Sequence, residues 1–344
     1  MAIPYAAQAG EHEQVEWLGG GVMQILLAGE HTGGALAMFR SFAPAGAASP
    51  AHVHSREDEI VVMLSGSAVF WVGEQRFEVR EGGVAFLPRE VPHAYHITSD
   101  AAEMLALSTP CGMENFFRGA GHDLRTPKPE GWSITPASMG KAAAENGQTI
   151  IGPPLGPDDM LDAGTGPVSA GAAYAGQADE HETLEWLGGG LMRVLLNGRH
   201  TGGKLSLFRS SATAGSASPV YVHSKEDEII VMLSGSGIYW VGEQRHELSA
   251  GGVVVVPRGV PMAHRITSDA ETVAVTTPSG LEEFFRAVGR DVRQERPDGW
   301  EISLDVMAQA SEAGGRTVLH PPLEADQMIP AELLGVPAQD LPNR

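Results

Sequence analysis

The chain contains a single cysteine, Cys111, in 344 residues. An intrachain disulfide framework is thereby excluded, and so is a thiolate-rich metal site of the zinc-ribbon kind; a reducing compartment is expected. Basic residues are scarce as well, with 23 Lys and Arg against 43 Asp and Glu and a formal net charge of −20. A surface of that sign repels a phosphate backbone, so nucleic acid is not an expected partner. No stretch approaches the roughly 18 continuous apolar residues that a membrane-spanning helix requires. Residues 1–10 lack the basic segment followed by an apolar run that marks a secretory signal. No membrane partner and a cytoplasmic location are therefore the expectations. Charged residues make up 19% and hydrophobic ones 42%, a globular rather than a disordered composition.

Aromatic residues amount to only 6%, and their placement exposes the plan of the chain. The six tryptophans form three pairs: Trp17 with Trp186, Trp71 with Trp240, and Trp132 with Trp300. Residues 59–76 (EIVVMLSGSAVFWVGEQR) match residues 228–245 (EIIVMLSGSGIYWVGEQR) at 14 of 18 positions. The chain is an internal duplication with an offset of 169 residues. Residues 152–170 (GPPLGPDDMLDAGTGPVSA) are rich in Gly, Pro and Asp without apolar period, so they are taken as a linker between a first domain, 1–151, and a second, 171–344.

Within each half, short runs of β-branched and aromatic residues alternate with glycine-containing turns, as at 60–64, 68–72, 77–79 and 84–87. Gly73-Glu74 has glycine first, as a two-residue type II′ hairpin loop requires. Several such hairpins per half, with 43 Gly and 23 Pro overall, predict an all-β chain of barrels or sandwiches with few short helices, the best candidates being 113–119 and 281–288. Residues 60–64 are apolar on both faces, so one face is expected to line a barrel and the other to pack on the second domain or on a second subunit in a homodimer.

One histidine cluster has metal-ligand spacing. His52 and His54 alternate with Val53, which puts both imidazoles on one face of a strand. Glu59 follows at an odd spacing, so the polar residues 55–58 must turn to bring it back to that face. His93 opens a later strand whose inward face it shares with Tyr95. Three neutral imidazoles and a carboxylate suit one divalent first-row metal, of Fe, Ni, Mn, Co or Cu, with positions left open.

The glycines around these residues sharpen the reading. Gly46-x5-His52-x-His54-x4-Glu59-x6-Gly66, followed by Gly82-x5-Pro88-x-Glu90-x2-His93, resembles both signature motifs of the cupin superfamily. The departures are Glu90, where the second motif expects glycine, and Ile97, where it often has asparagine; neither is a ligand position. Tyr5, residues 91–95 (VPHAY) and residues 197–202 (NGRHTG) look like the two-domain quercetin 2,3-dioxygenases. The resemblance covers nearly the whole chain and implies two tandem cupin barrels and a metal-dependent dioxygenase that takes a flavonol or a related enolisable phenol or polyketide together with dioxygen. On this reading His52, His54, Glu59 and His93 hold the metal, Glu59 also accepts the substrate hydroxyl proton, and Met63 and Tyr95, which share the ligands' inward parity, touch the substrate or fill the core. Two other classes stay open: an isomerase or cyclase of a polyketide or sugar, in which Glu59 or Tyr95 moves protons without oxygen, and a non-catalytic binding cupin.

The second copy keeps His223 and Glu228 but has Tyr221 in place of His52 and Met262 in place of His93. It is expected to bind no metal, with its cavity filled by those two side chains, and His264 stands two residues too far along its strand to replace the missing ligand. The remaining candidates have structural readings. His12, His31, His181 and His200 belong to turn-like text, His96 points outward to solvent, Glu57 and Asp58 are charged loop residues, and Cys111 is a structural thiol.

Overall fold

The computed structural model describes residues 1–162, 172–186 and 189–334. It divides into two compact units: His12–Glu180, and Met1–Glu11 together with the chain from His181 onward. Both are antiparallel β structures, as the alternating patterns predict.

In the unit His12–Glu180 two sheets face each other. One has eight strands in the order His122–Asp123, Glu13–Glu16, Val22–Leu27, Ala37–Pro44, Ala101–Thr109, Asp58–Ser65, Val84–Leu87 and Tyr174–Gly176. The other has five: Gln148–Pro154, Pro50–His54, His93–Ile97, Ser67–Val72 and Gln75–Arg80. Inward positions at alternate residues supply a core that includes Phe39, Val61, Met63, Phe70 and Leu87. The second unit repeats the plan. There Asp227–Val241 and Met262–Thr277 run unbroken from one sheet into the other, which joins all its strands into a single eleven-stranded sheet.

The units part from the boundaries drawn on the sequence. Strand Tyr5–Ala7 pairs with Val253–Val256 in the second unit, and Tyr174–Gly176 pairs with Val84–Leu87 in the first. Each recipient strand is buried at all four positions, so an uncovered edge there would leave both backbone groups and apolar side chains facing water. The three-residue strands that cover these edges carry no periodicity of their own. Nor is the start of the expected linker loose. Gln148–Pro154 is a strand paired with Pro50–His54, Leu155 and Leu161 pack on Trp71, and the Trp71 indole N–H donates to Asp159 O at 3.0 Å. The rest of the linker, 163–170, lies outside the described residues.

The hairpin at Gly73-Glu74 forms as expected, with Val72 paired to Gln75. Gly73 has φ 59° and Glu74 does not have positive φ, which is the type II′ pattern. Both predicted helices are present, as Met113–Ala120 and Leu281–Val288. Besides the single turns Gly29–Thr32 and Gly198–Thr201, two longer helices, Pro136–Glu145 and Leu304–Gly314, were not anticipated among the described residues; each follows one of the helices that were. The first of these did have a local signal: the Thr135 side chain caps it by accepting from Ser138 N, and proline occupies its first turn.

At Glu90 the departure from the glycine pattern leaves the turn in place. Glu90 has φ 65° and is the one non-glycine residue with positive φ among those described. Its N–H donates to His54 O at 2.7 Å, as the Gly259 N–H does to His223 O in the second unit. A side chain in the left-handed region is strained by about 1 kcal/mol. Glu90→Gly is therefore expected to raise the melting temperature by about 2–4 °C, and a thermal melt showing no change or a loss would contradict this.

Candidate metal centre

The site lies where the two sheets of the first unit face each other. His52 and His93 sit directly opposite on neighbouring antiparallel strands, and His54 follows His52 on the same inward face. Glu59 reaches them from the other sheet, on Asp58–Ser65, because residues 55–57 turn the chain between sheets. The odd spacing is resolved by this crossing, as the sequence required. Ring centroids are 4.3 Å apart for His52 and His93, and 5.0 Å for each of them with His54. Glu59 Oε2 lies 3.4 Å from His93 Nε2 and 3.8 Å from His54 Nε2. One donor atom from each of the four falls within 4.8 Å of the others, the one such group among the described residues.

The donor chemistry fits a metal ion. His52 Nδ1 stands 2.8 Å from Pro50 O and His93 Nδ1 2.9 Å from Val91 O. A carbonyl only accepts, so each Nδ1 carries the hydrogen and each Nε2 presents a lone pair. Nε2 of His54 and of His93 is buried with no hydrogen-bond partner, a costly state for an imidazole unless a cation takes the lone pair. Burial, then the neighbouring His93 and His54, hold the His52 imidazole well below its ordinary pKa, in the neutral form a ligand needs. For Glu59, burial pushes upward, but the close approach of His93 and then His54 outweighs it and leaves the carboxyl below its ordinary value.

Glu57 departs from the expectation of a charged loop residue. It is 1% exposed, and its Oε2 lies 3.6 Å from His54 Nδ1, placed to orient the one imidazole of the three that has no carbonyl behind it. The same pair recurs as Glu226 and His223, also at 3.6 Å. Its signal was in the sequence: an acidic residue three positions after a candidate ligand, present in both copies. Asp58 is buried too, holding the turn through a bidentate pair with Arg89 at 2.9 and 3.2 Å. The charged-loop reading fails for both residues because the turn folds inward under the barrel.

Beside the ligands a cavity of about 800 Å³, its mouth included, is walled by Trp17, Phe70, Phe116, Phe117 and several methionines. Tyr95 lines it as its parity predicted; burial and then the Glu59 carboxylate push its phenol up to about 12, against a hydrogen bond from Trp17. Met63 does not line it. That side chain is wholly buried in the core, so the expected substrate contact is replaced by core packing. His96 is not left to solvent, since Leu155 O meets its Nδ1 at 2.8 Å. His31 and His200 do serve turns, each Nδ1 accepting from a backbone N–H three residues earlier. Cys111 is half-buried, and burial, then Glu114 and Glu57, raise its thiol pKa, which suits a structural rather than a nucleophilic role.

The second unit has the broken ligand set, but its barrel is not filled as expected. Tyr221 donates to Glu228 Oε2 at 3.0 Å, Met262 is packed in the core, and a cavity of about 860 Å³, mouth included, remains beside them. Tyrosine and methionine block the ligand positions without occupying the space above them.

A family model described as a cupin domain matches twice, at residues 38–110 and 210–278. The chain carries two cupin domains in tandem, the bicupin arrangement. Solved structures with the same fold include a variant of oxalate decarboxylase from Bacillus subtilis, 16% identical over 95% of this chain and 90% of that one, with a TM-score of 0.60. Another is the formate complex of oxalate decarboxylase from Lactobacillus farciminis, 15% identical over 81% of this chain and 87% of that one, with a TM-score of 0.59. At such identities the likeness is one of fold. No curated protein matches the sequence.

For this bicupin, elemental analysis is expected to give about one divalent metal per chain, and His93→Ala to remove most of it. Glu57→Gln is expected to weaken metal affinity about 10-fold in chelator competition, whereas Glu226→Gln should leave it unchanged. Equal effects of the two glutamine variants would assign Glu57 to folding instead.

Proposed function

We propose that this bicupin is a metal-dependent dioxygenase acting on an enolisable phenolic substrate of the flavonol or aromatic polyketide class. The observation that carries the reading is the lining of the first cavity: aromatic and methionine walls around the candidate ligands, with Tyr95, Gln148, Ser41 and Ser49 as the further hydrogen-bonding side chains and no Lys or Arg among the described residues that line it. Small dianions such as oxalate would meet no cationic side chain there, so the fold shared with oxalate decarboxylases does not carry their substrate over to this chain. A flat aromatic body buries well against Trp17, Phe70 and Phe116.

His52, His54, Glu59 and His93 would hold the ion, which when bound supplies positive charge to stabilise a deprotonated substrate oxygen. The chain's own part is proton transfer and orientation. Glu59, whose carboxyl lies below its ordinary pKa, accepts the substrate hydroxyl proton. Tyr95 keeps its own proton because burial and Glu59 raise its pKa to about 12, so it donates a hydrogen bond to a substrate oxygen and does not act as the base. The apolar walls exclude water and so preserve the basicity of Glu59.

Oxygen uptake by metal-loaded protein is expected with flavonols or with aromatic polyketides carrying a vicinal hydroxy-ketone. Turnover of such a substrate without oxygen consumption would instead favour the isomerase or cyclase reading, in which Glu59 returns the proton to a different carbon. Glu59→Gln should keep a substantial share of the metal and lose at least about 10²-fold in turnover. Retention of most activity at unchanged metal content would show that Glu59 is not the base.

A further inference from the structure

The second barrel contains a cation that its duplicate lacks. Strand Val220–His223 pairs with Arg316–His320 so that Arg316 lies opposite His223. At the equivalent register of the first barrel, Gln148 lies opposite His54. Arg316 is only 8% exposed and borders the second cavity. Its guanidinium stacks 3.4 Å from the centre of the Tyr221 ring and 4.8 Å from that of Phe284, which fixes its plane and leaves its N–H edge for other contacts. Nε is buried without an acceptor, and among the described residues no side chain forms a hydrogen bond or ion pair with this guanidinium. Glu228, whose carboxyl feels the Arg316 charge without pairing with it, instead accepts from Tyr221 at 3.0 Å and lies 3.3 Å from His223 Nε2.

Other groups of the cavity point to the same kind of ligand. His264, stacked on Tyr239, has Nδ1 buried and unpartnered, and Ser218 and Thr272 border the same space. Trp186, Ile230 and Phe285 form apolar walls. The substitutions thus make a coherent set: where the first barrel has two more imidazoles and a neutral amide, the second has Tyr221, Met262 and a rigidly stacked arginine. We propose that the second barrel is a metal-independent binding site for a small organic carboxylate with an apolar body, its carboxylate paired with the Arg316 guanidinium and its body against Trp186 and Phe285. A planar carboxylate matches the two parallel N–H groups that a guanidinium presents, and a buried unpaired cation is the strongest local demand for an anion.

The test is calorimetric titration of the metal-loaded full chain with benzoate and hexanoate, each against its neutral amide, benzamide and hexanamide. At least one carboxylate is expected to bind saturably and at least 10-fold more tightly than its amide. Arg316→Gln, which installs the residue found at the equivalent position of the first barrel, should abolish that preference while leaving metal content unchanged. Arg316→Lys keeps the charge and should retain a weakened preference, so that a loss in the glutamine variant is not mistaken for misfolding. Absence of saturable binding by both carboxylates, equal binding of acid and amide, or a preference that survives Arg316→Gln would each overturn the proposal.

Discussion

A polar group in the dry interior of a barrel must find a partner, and both halves of this molecule are organised around groups that find too few within the protein. In the first barrel the unmet groups are imidazole nitrogens. Pro50 O and Val91 O take the Nδ1 hydrogens of His52 and His93, and this leaves lone pairs converging on the space that Glu59 also faces. Removing a carbonyl would free the ring to rotate; filling the space with a methyl group would bury the nitrogens for nothing. The centre is therefore a property of the backbone around it as much as of the four side chains.

That dependence explains why the supporting groups are buried acids rather than surface charges. Asp58 locks the turn to Arg89, whose Nη2 also donates to Thr109 O at 3.0 Å, and Glu57 stands behind His54. Both acids have counterparts in the second unit, where Arg258 holds Asp227 in the same way and Glu226 stands behind His223. The supporting frame has thus been kept in a barrel whose ligand set has not. Maintenance of the turn is needed for folding in both halves, whereas the identity of the side chains at the two substituted positions decides only what the interior can bind. Divergence after duplication is free to act on the second without disturbing the first.

Much of the fold was legible because it depends on local rules. Glycine at a hairpin position, alternation along a strand and the repeated tryptophans each report on a few neighbouring residues, and they located the hairpins, the two helices and the duplication. The ligand residues were legible for a related reason: His52 and His54 share a face by strand parity alone, and the spacing to Glu59 demanded a turn that the polar residues 55–58 could make. Parity was insufficient for Met63. It points inward like Glu59 and Val61, but how far along the barrel the open space extends is set by Phe39, Phe70 and the other side chains that meet it from strands far off in sequence.

By itself, then, the sequence determined that the chain is a doubled β structure with one full set of three imidazoles and a carboxylate, since these follow from composition, repetition and period. Tertiary structure alone decided which strands close each unit, because Tyr5–Ala7 and Tyr174–Gly176 are too short to announce the edges they cover. It alone made Glu57 a buried partner of His54, because a loop's polarity does not reveal which way it folds. And it alone kept the second cavity open, with Arg316 brought opposite His223 by the pairing of strands some 90 residues apart; cavity volume and unpaired charge are sums over distant segments, and no local pattern encodes them.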